Sequence, residues 1–336
     1  MEHGTTGDPV ARFGLGVVIG KFLPPHRGHR FLIETALSRC EKVVVIVCGK
    51  PVDPIPPELR AGWLREMIPA AEVMLIDDRY DENNSRIWAA NTIGWLGRAP
   101  DAVFTSEDYG DRYAALMGST HVMVDRARAI IPCSGTAVRQ DPFAMWDYID
   151  PPLREWFAKR VVIVGAESTG TTTLAMDLAR ALHTEWVAEY GREYSAAKQA
   201  GGDTRWHSSE FLQIAREQTR REDAAARNSN RVLVCDTNAF ATVLWHRRYV
   251  GGDDLPLQDF AATCRADLYL LTGDEIPFVQ DGLRDGEHLR HDMHRWFEEA
   301  LARQAVPWFL LRGDRASRLE EALEIVARLW PGCRPS

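Results

Sequence analysis

Gly16-Val17-Val18-Ile19-Gly20 and Val161-Val162-Ile163-Val164-Gly165 are short β-branched runs that each end on glycine. Parallel strands buried on both faces read as continuous apolar runs, and ligands gather beyond their carboxyl ends. Two such starts, 145 positions apart, imply two α/β domains built on parallel sheets. Outward from the first, Lys42–Cys48, Glu72–Ile76, Ala102–Thr105 and His121–Val124 read as further strands, with helical patterns between them at Phe31–Ser38 and Arg60–Met67. Outward from the second, Arg231–Cys235, Asp267–Leu271 and Trp308–Leu311 repeat the scheme, with amphipathic helices at Ser209–Ala226 and Arg318–Leu329. The turn-forming Asp150-Pro151-Pro152 places the boundary near Trp156–Lys159, so domains of 1–157 and 158–336 are expected.

Composition agrees with two globular domains. The chain has 336 residues, 45% hydrophobic and 26% charged, which excludes global disorder. With 40 basic and 48 acidic residues the net charge is -8, so indiscriminate duplex binding is disfavoured and an anionic ligand must be held by local donors. No run approaches the roughly 20 apolar residues of a membrane span, and the first dozen residues lack a signal-peptide core. A cytoplasmic location is therefore expected. The six cysteines form no CxxC pair and read as buried free thiols.

After the first strand comes Gly20-Lys21-Phe22-Leu23-Pro24-Pro25-His26-Arg27-Gly28-His29, and then the apolar helix pattern of Phe31, Leu32, Thr35 and Ala36. The two histidines therefore sit at a helix amino terminus, where unpaired N–H groups and the helix dipole favour an anion. Both imidazoles can donate to phosphate oxygens. Zinc fits less well, because no third ligand is nearby.

This segment resembles the (H/T)-x-G-H signature of the nucleotidyltransferase α/β phosphodiesterase superfamily. Ile131-Pro132-Cys133-Ser134-Gly135-Thr136-Ala137-Val138-Arg139 resembles its second signature, I-S-S-T-x-x-R. The resemblance implies a Rossmann-like nucleotidyltransferase domain in which a phosphate oxygen attacks the α-phosphorus of ATP and pyrophosphate leaves. His26 and His29 would donate to the α-phosphate, with Arg139 also in the catalytic set. Gly20, Lys21, Phe22, Ser134, Thr136 and Arg139 would line the ATP site, and magnesium would screen the outer phosphates. Asp101–Gly110 (DAVFTSEDYG) and Pro142–Ile149 (PFAMWDYI) further resemble NadR-type bifunctional proteins, which couple nicotinamide-nucleotide adenylyltransferase to ribosylnicotinamide kinase. The implied acceptor is nicotinamide mononucleotide (NMN), and Trp88 is the candidate for stacking on its pyridinium ring.

The second glycine opens Gly165-Ala166-Glu167-Ser168-Thr169-Gly170-Thr171-Thr172-Thr173, between a strand and a helix at Leu174–Leu182. That is the context of a P-loop, G-x-x-x-x-G-K-[ST], whose backbone amides cradle phosphates. Thr172 takes the place of the magnesium-bound hydroxyl, but Thr171 stands where the lysine belongs. Asp236, at a strand end, resembles the magnesium-linked or base carboxylate of a small-molecule kinase, with Glu189 the runner-up for the base. Glu189-Tyr190-Gly191-Arg192 and Ile276–Asp285 resemble NadR kinase motifs. By that likeness Glu189, Asp236 and Asp281 would bind the riboside, while Arg284 and Arg290 would form a closing lid. One of Arg192, Arg284 or Arg290 is expected to replace the missing lysine. His288, His291 and His294 read as part of a polar lid rather than a metal site.

The resemblance implies phosphorylation of nicotinamide riboside (NR) by the second domain and adenylylation of NMN by the first, giving NAD. Only a dozen residues precede the first strand, too few for the helix-turn-helix module some members carry, so DNA-binding repression is not expected. The expected partners are ATP, NMN, NR and NAD, with magnesium as cofactor and with neither nucleic acid nor membrane; a homo-oligomer is admitted. Two other readings stay open. In one, the lysine-less domain is regulatory or uses another acceptor. In the other, the whole protein is a non-catalytic sensor of pyridine nucleotides.

Overall fold

The computed structural model describes residues 13–81, 84–203, 205–279 and 287–333. The chain divides into two compact units, Met1–Pro152 and Leu153–Ser336.

The first unit contains strands β1 (Phe13–Gly20), β2 (Cys40–Gly49), β3 (Glu72–Asp77), β4 (Ala102–Thr105) and β5 (Thr120–Met123). They form one parallel sheet in the order β3-β2-β1-β4-β5. β1 is central because its valines are buried on both faces: Val17 and Val18 are fully buried, and Val17 pairs with Val44 on one side and Val103 on the other. Gly16 is required there, since a Cβ would lie 2.5 Å from Cys40 Sγ and 3.2 Å from a Phe104 ring carbon. Strand order reverses at β1, so the crevice beyond the ends of β1 and β4 is the natural ligand site.

The second unit repeats the plan with β6 (Lys159–Val164), β7 (Trp186–Val187), β8 (Val232–Asp236), β9 (Leu268–Thr272) and β10 (Trp308–Leu311). The order is β10-β9-β6-β8-β7, again all parallel. β6 is central, and its end feeds the Gly165–Thr173 loop beside the end of β8. The α/β class and its two parallel sheets are thus as the sequence implies, with strand ends moved by at most three residues and Ala102–Thr105 and Trp308–Leu311 unchanged. β7 was not foreseen, since a two-residue edge strand carries no periodicity. The helix Tyr190–Ala200 has no buried residue, so it carries no apolar stripe to read.

All six cysteines are free thiols, five of them buried and Cys264 partly so. Among the described residues no helix is long and apolar enough to cross a membrane.

Candidate active sites

In the first unit, helix Arg27–Arg39 starts directly beyond β1. His26 is its N-cap in extended conformation, and its Nδ1 accepts the Gly28 amide at 3.1 Å. That bond assigns the proton of a neutral ring to Nε2, leaving an N–H donor on the side away from the backbone. His29 follows one turn later, with ring centroids 3.8 Å apart, and Phe22 packs edge-on against His29 at 4.9 Å. Gly28 is confined by the same cap, because a Cβ there would lie 2.9 Å from His26 Cε1.

Both imidazoles are held neutral. Burial first and the Arg128 charge second lower His26 from 6.5 to about 4. Burial, then His26, then Arg128 push His29 well below its ordinary value. His29 Nδ1 is buried without a partner among the described residues. Two neutral rings and a nearby guanidinium make a site that gains from an incoming anion. Between pH 4 and 6.5 the unfolded chain binds a proton that native His26 does not, so His26 makes stability rise with pH across that window. Asparagine at position 26 keeps a capping acceptor and cannot titrate. His26→Asn is therefore expected to reduce the pH slope of thermal unfolding between pH 4 and 6.5; an unchanged slope would contradict the assignment.

The surrounding cleft, about 940 Å³, is lined by Gly20, Lys21, Phe22, His26, His29, Trp88, Ser134, Thr136 and Arg139, which the sequence singled out. Ser134 caps the short helix Gly135–Gln140, accepting the Ala137 amide at 3.1 Å. Arg139 donates to the Leu23 carbonyl and, at 3.2 Å, to Thr136 Oγ1, tying the second signature to the first. Gly135 permits that approach, since a Cβ would lie 2.6 Å from the Leu23 oxygen. Trp88 lies on helix Ser85–Leu96, donates to the Asp81 carbonyl at 3.0 Å and packs edge-on against Tyr80 and Trp95.

Three features of this cleft were not anticipated. Arg128 faces both histidines electrostatically. The Thr105 hydroxyl meets His121 Nε2 at 2.8 Å, and His121 Nδ1 meets Asp111 at 2.6 Å, a chain that braces the wall beyond β4. Arg60, fully buried, donates to the carbonyls of Lys21, Ile55 (3.1 Å) and Cys48 (3.2 Å) and to Asp53 (2.5 Å). One guanidinium thus pins the loops that follow β1 and β2. A cation among the buried Ala61, Trp63, Leu64 and Met67 of helix Pro57–Met67 was the signal available. Arg60→Met strands Asp53 and three carbonyls, and is expected to destabilise the first unit by about 3 kcal/mol in denaturant unfolding.

In the second unit, Gly170 has φ +87° and caps helix Thr171–Ala181, while Ser168 has φ +58°. Thr169, buried, hydrogen-bonds the Ala166 carbonyl and the Thr272 hydroxyl, both at 2.7 Å. Thr172 Oγ1 donates to Asp236 Oδ2 at 2.5 Å, at the end of β8. Asp236 is raised by burial, against which the Thr172 and Thr171 hydroxyls and the Arg192 charge pull it down. Glu189 is raised to about 8 by burial first and then by the Asp236 charge, so it is largely protonated near neutral pH. Glu167, a loop residue, pairs with buried Arg248 at 2.8 Å.

The loop residues from Gly165 to Thr173, apart from buried Thr169, line one pocket with Glu189, Arg192 and Asp236. Its far wall is aromatic and was missed: Trp206, Phe211, Trp245 and Tyr249, with Trp206 and Tyr249 rings 5.4 Å apart. These residues come from three segments, so no local pattern marks them. Arg290 does not line this pocket; it donates to loop and flanking carbonyls. Asp281 and Arg284 lie outside the described residues. A hydroxyl and a carboxylate oxygen suit magnesium, which binds few protein ligands and completes its shell with phosphates and water.

An AAA domain model matches residues 160–318. The trifunctional NAD biosynthesis/regulator protein NadR of Escherichia coli is 29% identical over 299 residues, spanning 82% of this chain and 73% of that protein. NadR of Salmonella typhimurium is 29% identical over 305 residues, with the same shares. A NadR protein solved in complex with NR superimposes with a TM-score of 0.78 at 23% identity, over 95% of this chain and 96% of its own. Another, in complex with NAD and AMP-PNP, gives 0.76 at 21% identity, over 96% and 98%. In sequence the chain is similar to these NadR proteins, and it shares the fold of the two solved NadR structures.

Proposed function

We propose that the chain makes NAD from nicotinamide riboside in two ATP-dependent steps, phosphorylation in the second unit and adenylyl transfer in the first. Domains of 1–157 and 158–336 carry the adenylyltransferase and the kinase in this reading. The NadR homologues support the pathway. The observation that carries the first activity is the pair of neutral imidazoles at the start of helix Arg27–Arg39, opening on the cleft beyond β1 and β4.

Adenylyl transfer needs no general base, because the NMN phosphate is already ionised. Catalysis is then alignment and charge stabilisation. His26 Nε2–H and His29 donate to the α-phosphate as charge builds on it, while Lys21, Ser134, Thr136 and Arg139 hold the triphosphate. Trp88 offers its ring face to the pyridinium.

Phosphorylation of a ribose hydroxyl does benefit from a base. Asp236 is the ionised carboxylate and takes the proton, while protonated Glu189 donates a hydrogen bond to the riboside. Magnesium, when bound, supplies charge neutralisation at the phosphates, and Thr172 and Asp236 would hold it. The aromatic wall of Trp206, Trp245 and Tyr249 suits a cationic pyridinium ring.

Product analysis tests the reading. ATP with NMN should yield NAD and pyrophosphate, and ATP with NR should yield ADP and NMN. Absence of the second reaction alone would make the second unit regulatory or specific for another acceptor. Absence of both, with nucleotide binding retained, would make the protein a sensor.

A further inference from the structure

We propose that Arg290 supplies, from behind the phosphate loop, the positive charge that a lysine at position 171 would bring, with Arg318 fixing the loop for it. The inference rests on the reading that residues 165–173 cradle a nucleotide. At position 171 itself there is no cation, and the threonine hydroxyl is engaged with Asp236.

Helix Arg290–Ala302 begins on Arg290, whose Nη2 donates to the Ser168 carbonyl at 3.2 Å and the Ile276 carbonyl at 2.7 Å. Helix Arg315–Leu329 carries Arg318, whose Nη1 donates to the Thr169 carbonyl at 2.6 Å. Arg318 Nη2 donates to the Gly273 carbonyl at 3.0 Å and to Glu275 at 2.7 Å. Two guanidinium groups therefore hold successive carbonyls of the loop. The Ser168 carbonyl shares a peptide with the Thr169 N–H, and the Thr169 carbonyl with the Gly170 N–H. Drawing density from the oxygens makes those amides stronger donors on the opposite side.

The two arginines differ in how their charge is balanced. Arg318, 4% exposed, has Glu275 as its counter-ion. Arg290, 6% exposed, forms no ion pair among the described residues, whereas the Nε of both groups is buried without a partner. Asp274, Glu275 and Glu287 act on Arg290 only at longer range, and Arg318 opposes them. A buried cation without an adjacent counter-ion is costly. A polyphosphate seated across the Ser168–Thr169 peptides would lower that cost, so nucleotide binding and the burial of Arg290 favour each other. Arg290 is thus a positioning residue: it acts through the loop's peptides and its field.

The test is a site-resolved affinity for ATP with magnesium, read from hydrogen-exchange protection of the peptide spanning residues 165–173 in the full chain. If the wild-type loop gains no protection at millimolar ATP, the nucleotide reading itself fails. Given wild-type protection, Arg290→Gln should weaken ATP about tenfold or more, in line with loss of a charged hydrogen bond. Thr171→Lys should then restore most of that loss, by a factor larger than its effect in the wild-type background. Undiminished affinity in Arg290→Gln, or the same Thr171→Lys factor in both backgrounds, would overturn the proposal, since a merely structural arginine is not rescued by a lysine across the loop. If Arg290→Gln fails to fold by thermal melting, Arg290→Lys decides. Affinity within about threefold of wild type supports a charge requirement, and a loss of tenfold or more removes it.

Discussion

Replacing His29 by alanine is expected to lower adenylyl transfer from ATP to NMN by about 10²–10³-fold, with little change in the KM for ATP. The reason lies in when its hydrogen bond matters. His29 is neutral in the free protein, and its Nδ1 finds no partner among the described residues, so its ground state has little to lose. Charge builds on the α-phosphate oxygens only as the bond to the NMN phosphate forms. A donor placed at that point lowers the barrier more than it tightens ATP. Initial rates of pyrophosphate release over an ATP series test this: kcat should fall and KM should stay. A parallel loss of binding and rate would instead make His29 a simple triphosphate ligand. Riboside phosphorylation by the same variant should be unaffected, which provides the control for folding.

The second large effect is expected at Asp236. Asp236→Asn preserves shape and can still accept the Thr172 hydroxyl, but it neither takes a proton nor brings a charge to magnesium. NR phosphorylation should fall by about 10²–10⁴-fold, while NAD formation from supplied NMN should be unchanged. Glu189→Gln should cost much less, because that carboxyl is already protonated near neutral pH, its pKa lying near 8. If Glu189→Gln were the more damaging variant, the roles of the two carboxyls would be exchanged.

Much of the architecture was legible because it is written locally. Continuous valine and isoleucine runs mark strands buried on both faces, and glycine with an apolar helix pattern beyond it marks a strand-to-helix turn. The His26–His29 spacing and the Gly165–Thr173 loop are each contained in about ten consecutive residues. Helix and strand limits were less legible. The sequence pointed to a strand from Gly16, yet β1 begins at Phe13, because Phe13 and Leu15 pair with Cys40 and Lys42 of a strand 27 positions away.

What could not be read is what long-range packing creates. Arg60 stands out locally only as a cation among apolar helix positions, and its acceptors in the loops after β1 and β2 appear only once those loops converge on it. The aromatic wall joins Trp245 and Tyr249, one turn apart on helix Ala239–Tyr249, to Trp206 in the segment before helix Ser208–Ala226. Arg290 reads as a lid residue from sequence, because nothing nearby shows that Ser168, 122 positions earlier, supplies its acceptor.

The sequence by itself determined two parallel α/β sheets, each with a central strand that ends on a glycine turn before a helix, because the short-range sterics of β-branched runs and glycine suffice for that. Only the tertiary structure decided which charges surround those turns. It holds the two histidines neutral, raises the buried Glu189 carboxyl beside Asp236, and sets two arginines behind a loop that lacks its lysine. Burial and electrostatic pairing depend on distances between residues far apart in the chain, and those distances exist only once the sheets have formed.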